Sequence, residues 1–299
     1  MHAPRQARPG GGLSMALGAY VIWGLLPLYM TTVRALPAVE FVAWRIVWTL
    51  PFCFAILAVT SGWADLQAAL GDSATRLRLV ASAGLIAINW VVFTAAVNSG
   101  HVFAAALGYY MNPLVNVALG TLVLKERLNA RQWIAVGLAT AGVAVLAFGA
   151  REMLAVSLSL ALSFGIYGLI RKTASVAPLP GLTIETLILL PAALAVAAWY
   201  ASGPSGSGMA ISPSQGLLVA LGGVLTGTPL LLFAGAARRM DYSSLGMIQF
   251  LSPTISFVLA LTVFGEELRP AQLICFMLIW SAIALFVWDL IVQRRSAAA

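Results

Sequence analysis

Arg45 and Glu185 are charged residues inside otherwise apolar runs, and they stand 140 positions apart. A charge in an apolar run is costly unless it faces protein or water, so it marks a working interior. Two arrangements are open from the residues alone. The pair could meet, or line a path for a charged or zwitterionic solute with a proton on Glu185. Alternatively, each could reach back to the membrane surface from near its helix end. A second group is polar and uncharged: Asn89, Tyr109, Asn112, Asn116, Tyr167, Gln249 and Ser252. Such side chains can offer hydrogen bonds to a solute without committing to its charge. Pro113 and Pro253 belong with them. Each proline removes a backbone donor and frees the carbonyl four residues earlier, on Tyr109 and Gln249. A bent helix with a freed carbonyl near the bilayer midplane is a way carriers build a binding site.

The elements that must hold these residues are membrane helices. The chain is 61% hydrophobic and 9% charged, with mean hydropathy +0.95. Soluble domains are about 25% charged, so a bilayer is the solvent this surface requires. Ten spans are expected, at Leu13–Val33, Val39–Val59, Leu77–Val97, Val102–Leu124, Arg131–Gly149, Met153–Ile170, Gly181–Tyr200, Gly216–Ala236, Tyr242–Phe264 and Ala271–Val292. The segment 61–76 reads as a polar connection with an amphipathic turn, and 202–214 as a flexible Gly/Ser/Pro loop. Lys and Arg gather on alternate connections: Arg5 and Arg8, Arg76 and Arg78, Lys125, Arg127 and Arg131, Arg171 and Lys172, Arg238 and Arg239, Arg294 and Arg295. The other side holds Arg34, Arg151 and Arg269. Positive residues stay on the cytoplasmic side, so both termini are expected there.

The halves of the chain match each other. Shifted by 140 positions, Pro51 falls on Pro191, Phe93 on Phe233, Pro113 on Pro253, Glu126 on Glu266, Leu128 on Leu268 and Gln132 on Gln272. The organisation is a tail (1–12), a five-helix repeat (13–149), a second five-helix repeat (153–292) and a tail (293–299). An odd number of spans per repeat turns the second copy upside down, so the fold class is all-α integral membrane, with ten transmembrane helices in two inverted five-helix repeats. Ala104, Gly108, Asn112, Asn116 and Gly120 recur at every fourth position, as do Ser244, Ile248, Ser252, Ser256 and Ala260. Each row lies on one helix face, suited to close packing or to lining a cavity.

Several function classes are excluded or disfavoured. Neither Lys125 nor Lys172 follows the glycine pattern of a phosphate-binding loop, and no hydrolase or zinc-protease motif occurs. Cys53 and Cys275, with His2 and His101, make no metal or disulfide framework. No cofactor or metal is expected, and the scattered basic residues form no nucleic-acid footprint. His101 reads as a surface or capping residue.

The chain resembles EamA-type drug/metabolite transporters, and more closely their RarD branch, described as chloramphenicol-sensitive protein. The stretches that carry this are 19–24 (AYVIWG), 45–48 (RIVW), Asn89-Trp90, 107–116 (LGYYMNPLVN), 164–172 (FGIYGLIRK), Ile184-Glu185-Thr186 and 249–254 (QFLSPT). The resemblance implies a multi-pass carrier of the bacterial inner membrane with a central cavity between repeats. The expected function is alternating-access transport of a small organic metabolite or drug without ATP hydrolysis, export being the expected direction. Asn89, Tyr109, Asn112, Asn116, Tyr167, Gln249 and Ser252 are the expected cavity lining, and Arg45 and Glu185 the charge-selective or coupling groups. An integral-membrane enzyme or lipid scramblase is the alternative, and would need a clustered catalytic constellation. The partners are the solute and the lipid bilayer, and the spans are compatible with a homodimer.

Overall fold

A computed structural model describes residues 11–148, 154–204 and 206–298, without the side chains of Val102 and 293–298. Its helices are α1 (Gly11–Thr32), α2 (Ala38–Thr60), α3 (Trp63–Gly71), α4 (Ser73–Asn98), α5 (Val102–Leu122), α6 (Ala130–Phe148), α7 (Leu154–Thr173), α8 (Pro178–Ala201), α9 (Pro213–Ala237), α10 (Tyr242–Gln249), α11 (Leu251–Thr262) and α12 (Pro270–Ala298). No strand occurs among the described residues. The ends of the fifth and sixth expected spans, Gly149 and Met153, lie outside the description, as do Arg5, Arg8 and Arg151.

Polar residues face inward and apolar ones outward, the reverse of a water-soluble fold. On α4, Asn89 is buried while Ile88 and Val91 are exposed. Leu77, Leu122, Leu217 and Val59 also point outward. Among the described residues nine helical segments are long and apolar enough to cross a membrane, with α10 and α11 counted as one segment. The segment of α5 is not one of them. It carries the polar residues Tyr109, Tyr110, Asn112 and Asn116. It still runs the length of the molecule, about 31 Å at 1.5 Å per residue.

The pairing of helices is unchanged when the halves are exchanged. α2 packs on α8, α5 on α10 and α6 on α12, each against its own counterpart. α1 packs on α9 as α7 packs on α4, and α1 on α11 as α7 on α5. Glycines allow the last two approaches. A Cβ on Gly24 would lie 2.7 Å from Ile255, and one on Gly165 2.6 Å from Val115, the position matching Ile255.

The directions are opposed. The start of α1, at Gly11, lies by Arg239 beyond the end of α9, and the end of α7 bonds there too, through Lys172 Nζ to the Ala237 and Met240 carbonyls (2.9 and 2.7 Å). α1 therefore begins where its counterpart α7 finishes, and the two repeats are inverted. This face also holds Glu126, and is called the Glu126 end. The other face holds the start of α2 and is called the Arg45 end.

The turns repeat as well. Lys125 and Gly265 occupy equivalent left-handed positions (φ 56° and 67°). Behind them, Glu126 N donates to the Gly120 carbonyl at 3.0 Å and Glu266 N to that of Ala260 at 2.9 Å. Gln132 Oε1 accepts from Asn129 N, and Gln272 Oε1 from Arg269 N, both at 3.1 Å. Both glutamines cap their helices, reciprocally at α6, where Gln132 N donates to Asn129 Oδ1 at 2.9 Å, and from one side at α12. Asp72 caps α4, and hydrogen bonds from the Thr75 side chain and backbone hold its carboxyl below the usual range.

Two connections differ from expectation. The amphipathic turn in 61–76 is the two-turn helix α3. The 202–214 loop is tied down rather than free where it meets α2. Glu40 Oε1 accepts from Ser207 Oγ (2.7 Å) and Gly208 N (2.9 Å), and Glu40 is buried. The bend at Pro253 is a full break at Phe250 between α10 and α11, whereas α5 continues unbroken through Pro113.

Candidate functional site: an interior chamber with unequal ends

Arg45 projects from α2 toward α9. Its Nε donates to Thr226 Oγ1 at 2.9 Å, and Thr226 in turn donates to the Gly222 carbonyl at 2.7 Å. α2 and α9 come close because α9 presents glycines. A Cβ on Gly223 would lie 2.6 Å from the Trp48 carbonyl oxygen, and one on Gly222 would meet Tyr29 and the Arg45 stem. The guanidinium carbon stands 5.2 Å from the Trp90 ring and 5.6 Å from the Phe41 ring. Tyr29 and Tyr109 also surround it. These neighbours come from α1, α2, α4, α5 and α9, so Arg45 faces the interior rather than the lipid surface.

Glu185 lies toward the other end, on α8, and does not meet Arg45. Its Oε1 is 3.5 Å from Arg171 Nη1 and accepts a hydrogen bond from Ser82 Oγ. Tyr167 Oη donates to Oε2 at 3.4 Å. Both partners of this ion pair are buried. The pairing of Arg45 with Glu185 is therefore corrected, and inversion is the reason. Each lies seven residues into its helix from opposite faces, which leaves them roughly 15 Å apart along the helix direction. Reaching back to the surface is likewise ruled out for Glu185, which is enclosed by α4, α7 and α8.

Arg171 is the residue that sequence reasoning missed. It counts as a connection charge by position, at the last turn of α7, yet it is turned inward and donates to the Pro178 carbonyl at 2.8 Å. Gly181 makes room for it, since a Cβ there would lie 2.7 Å from the guanidinium carbon. A glycine one turn into α8 was the available signal.

The polar residues divide by position. Asn89 Nδ2 donates to the Leu160 carbonyl (2.9 Å) and Ser163 Oγ (3.0 Å), joining α4 to α7. Asn116 Nδ2 donates to Gln249 Oε1 at 2.6 Å, joining α5 to α10. Asn112 Oδ1 and Asn116 Oδ1 are buried without a hydrogen-bond partner. A buried acceptor left open is costly, and two on one face of α5 mark the interior where a donor is wanted. Ser252 is half-buried on α11, its carbonyl against Gly24. Tyr109 is 40% exposed, with its ring 5.7 Å from that of Phe93. Tyr167 is buried and stacks on Phe233, which also meets Tyr20, Trp23 and Phe164.

Exposure falls steadily through this interior. Arg45 and Trp90 are half-buried and Tyr109 is exposed; Ile86, Tyr167, Glu185 and Phe233 are buried. Between the two groups is a crevice of about 10 Å³, lined by Trp90, Ile46, Ile86, Tyr167 and Glu185 among others. That is room for about one water. Beyond Glu185 the Glu126 end is tied together by side chains, beside a cleft of about 310 Å³ lined by Glu126, Asn129, Gln132, Asp241 and Ser243. Glu126 accepts from Tyr242 N (2.7 Å), Ser243 N (2.8 Å) and Ser243 Oγ (2.7 Å), capping α10 across the repeat boundary. Lys172 Nζ stands 3.9 Å from the same carboxylate. Arg238 donates to the Ala174 carbonyl at 2.7 Å and to that of Val176. Glu266, the counterpart of Glu126 at the Arg45 end, is exposed.

No group of three or more His, Cys, Asp or Glu that could hold a metal occurs among the described residues. Cys53 and Cys275 are buried between helices.

Comparison with known proteins agrees with this architecture. Residues 10–148 match the model of the EamA-like transporter family. An uncharacterized transporter of Pseudomonas aeruginosa is 44% identical over 93% of this chain and 93% of its own. Protein RarD of Escherichia coli is 39% identical over 96% of this chain and 97% of its own. A solved crystal structure, 20% identical, superposes with a TM-score of 0.73 over 93% of this chain and 97% of that one, a likeness of fold alone. Inverted repeats, an inward-facing polar chamber and full-length relatedness place this chain in the EamA-like transporter family, within its RarD group.

Proposed function

We propose that the protein is a secondary carrier that moves a small organic solute across the bacterial inner membrane by alternating access. Ten crossings, α5 included, form two repeats with both termini cytoplasmic. The Glu126 end is then cytoplasmic and the Arg45 end external. Export is the direction we assign. Tyr109, Asn112 and Ser252 line the path, Arg45 and Glu185 set its charge response, and Asn89, Asn116, Tyr167 and Gln249 hold its walls.

The observation that carries this reading is the unequal treatment of equivalent residues. Glu126 is clasped to the start of α10, while Glu266 stands exposed at the corresponding turn. Two copies of one unit, facing opposite ways, hold this carboxylate clasped at one end and unclasped at the other. Exchanging their conformations would close the Arg45 end and open the other, which is how inverted repeats deliver alternate access. An enzyme or scramblase would need a reactive constellation. Among the described residues the buried carboxylate of the chamber, Glu185, is instead occupied by Arg171, Ser82 and Tyr167.

The test begins with metabolite profiles of cells lacking and cells overproducing the protein, to find the solute whose level changes in opposite senses. That solute is then assayed for flux into proteoliposomes. Wild-type protein should carry it without ATP, and Asn112→Leu and Glu185→Gln should each reduce flux about tenfold or more, a loss of ~1.4 kcal/mol. Unchanged flux in both variants would remove the chamber from the mechanism.

A further inference from the structure

We infer that the Arg45 end of the chamber recognises the carboxylate of an organic anion whose body is flat and apolar. This rests on the carrier reading and names its class of solute.

Arg45 lacks a carboxylate partner. The ion pairs among the described residues join Arg131 to Asp289, Arg171 to Glu185 and Lys172 to Glu126. Glu40, five residues earlier on the same helix, directs Oε1 to Ser207, Gly208 and Trp44. The guanidinium is held by one nitrogen only, Nε on Thr226. Its two terminal nitrogens donate to no protein group among the described residues. Those nitrogens form the planar fork that grips a carboxylate through two parallel hydrogen bonds. Anchoring by Nε sets the plane of the fork and leaves its binding edge free.

The surroundings specify the rest of the solute. Trp90 and Phe41 flank the guanidinium at 5.2 and 5.6 Å. Rings at this spacing stabilise the bare cation until an anion arrives. They also form flat apolar walls against which a planar body can stack. Gly222 lets Tyr29, Phe41 and the Arg45 stem pack directly on α9, which fixes the place of the guanidinium. A cationic solute would meet an uncompensated positive charge, and a neutral one would bury the guanidinium without neutralising it. Trp90 touches Arg45 on one side and lines the narrow crevice to Glu185 on the other. A bound anion would therefore rest above the constriction, with Trp90 between it and Glu185.

Detergent-purified full-length protein is titrated by calorimetry with benzoate, with benzyl alcohol and benzylamine as neutral and cationic analogues of the same shape. Concentrations run to about 10 mM, tenfold above a millimolar Kd. Benzoate alone should bind. Arg45→Gln should abolish the response, and Arg45→Lys, which keeps the charge but loses the fork, should weaken it roughly tenfold. Wild-type protein that binds no benzoate, or binds either analogue equally well, overturns the inference. So does an Arg45→Lys variant that binds as wild type, a result readable even where Arg45→Gln fails to fold. Benzoate binding with no flux of any solute would instead sink the carrier reading. Carriage of a cation without benzoate binding would sink the anion site alone.

Discussion

At the scale of residues, one carboxylate in each half repeats and the two do different work. Glu126 satisfies the first amides of α10, where a helix leaves donors open and its dipole favours negative charge. Glu126→Ala should cost about 1–2 kcal/mol of stability and speed hydrogen exchange at the Tyr242 and Ser243 amides. Glu266→Ala should leave both nearly unchanged. Equal effects at the two positions, or no change in amide protection in the first variant, would contradict the Glu126 clasp on α10. The sequence matches at Glu126/Glu266 and Gln132/Gln272 pointed to shared turns, and both turns recur. Their unequal burial was not legible, because it depends on the conformation of the whole molecule rather than on local pattern. The inward turn of Arg171 was hidden for another reason. A charge at a helix end reads as a surface charge unless the glycine opposite it, Gly181, is weighed as the space it leaves.

At the scale of elements, helix contacts are set by small residues. Gly223 on α9 stands against the Trp48 and Thr49 backbone, with a hypothetical Cβ 2.7 Å from Thr49 N. Backbone cannot yield as a side-chain tip does, so Gly223→Ala should push α2 from α9. We expect a loss of about 1–3 kcal/mol and a displaced Arg45, measured as a lower Tm. Gly137→Ala on α6 meets open space and should be neutral or stabilising, by up to about 1 kcal/mol. A Gly223→Ala protein as stable as wild type would refute the close approach. The apolar segments were readable from length and hydropathy, because the bilayer imposes both, and nine among the described residues meet both. The break between α10 and α11 was readable only as a bend. Pro113 and Pro253 remove the same backbone bond, and sequence does not say which neighbours will hold the first helix continuous.

At the scale of the whole molecule, inversion is the property from which the rest follows. It separates Arg45 from Glu185, although their equivalence in sequence had suggested that they could meet. Equivalent positions in an upside-down repeat lie at mirrored depths, so only residues at the midplane can pair with their own counterparts. It also makes α2, α5 and α6 pack on their own copies, and gives the chamber two ends that the same residue types can open or close.

The most direct measurement of that inversion is labelling from one side of the membrane. Arg127→Cys and Glu267→Cys lie at equivalent exposed positions and are made singly in a Cys53→Ser, Cys275→Ser background. An impermeant maleimide added to cells with an opened outer membrane should label Glu267→Cys at once, and Arg127→Cys only after the inner membrane is broken. Prompt labelling of both cysteines from the same side would place the two turns together and contradict the account.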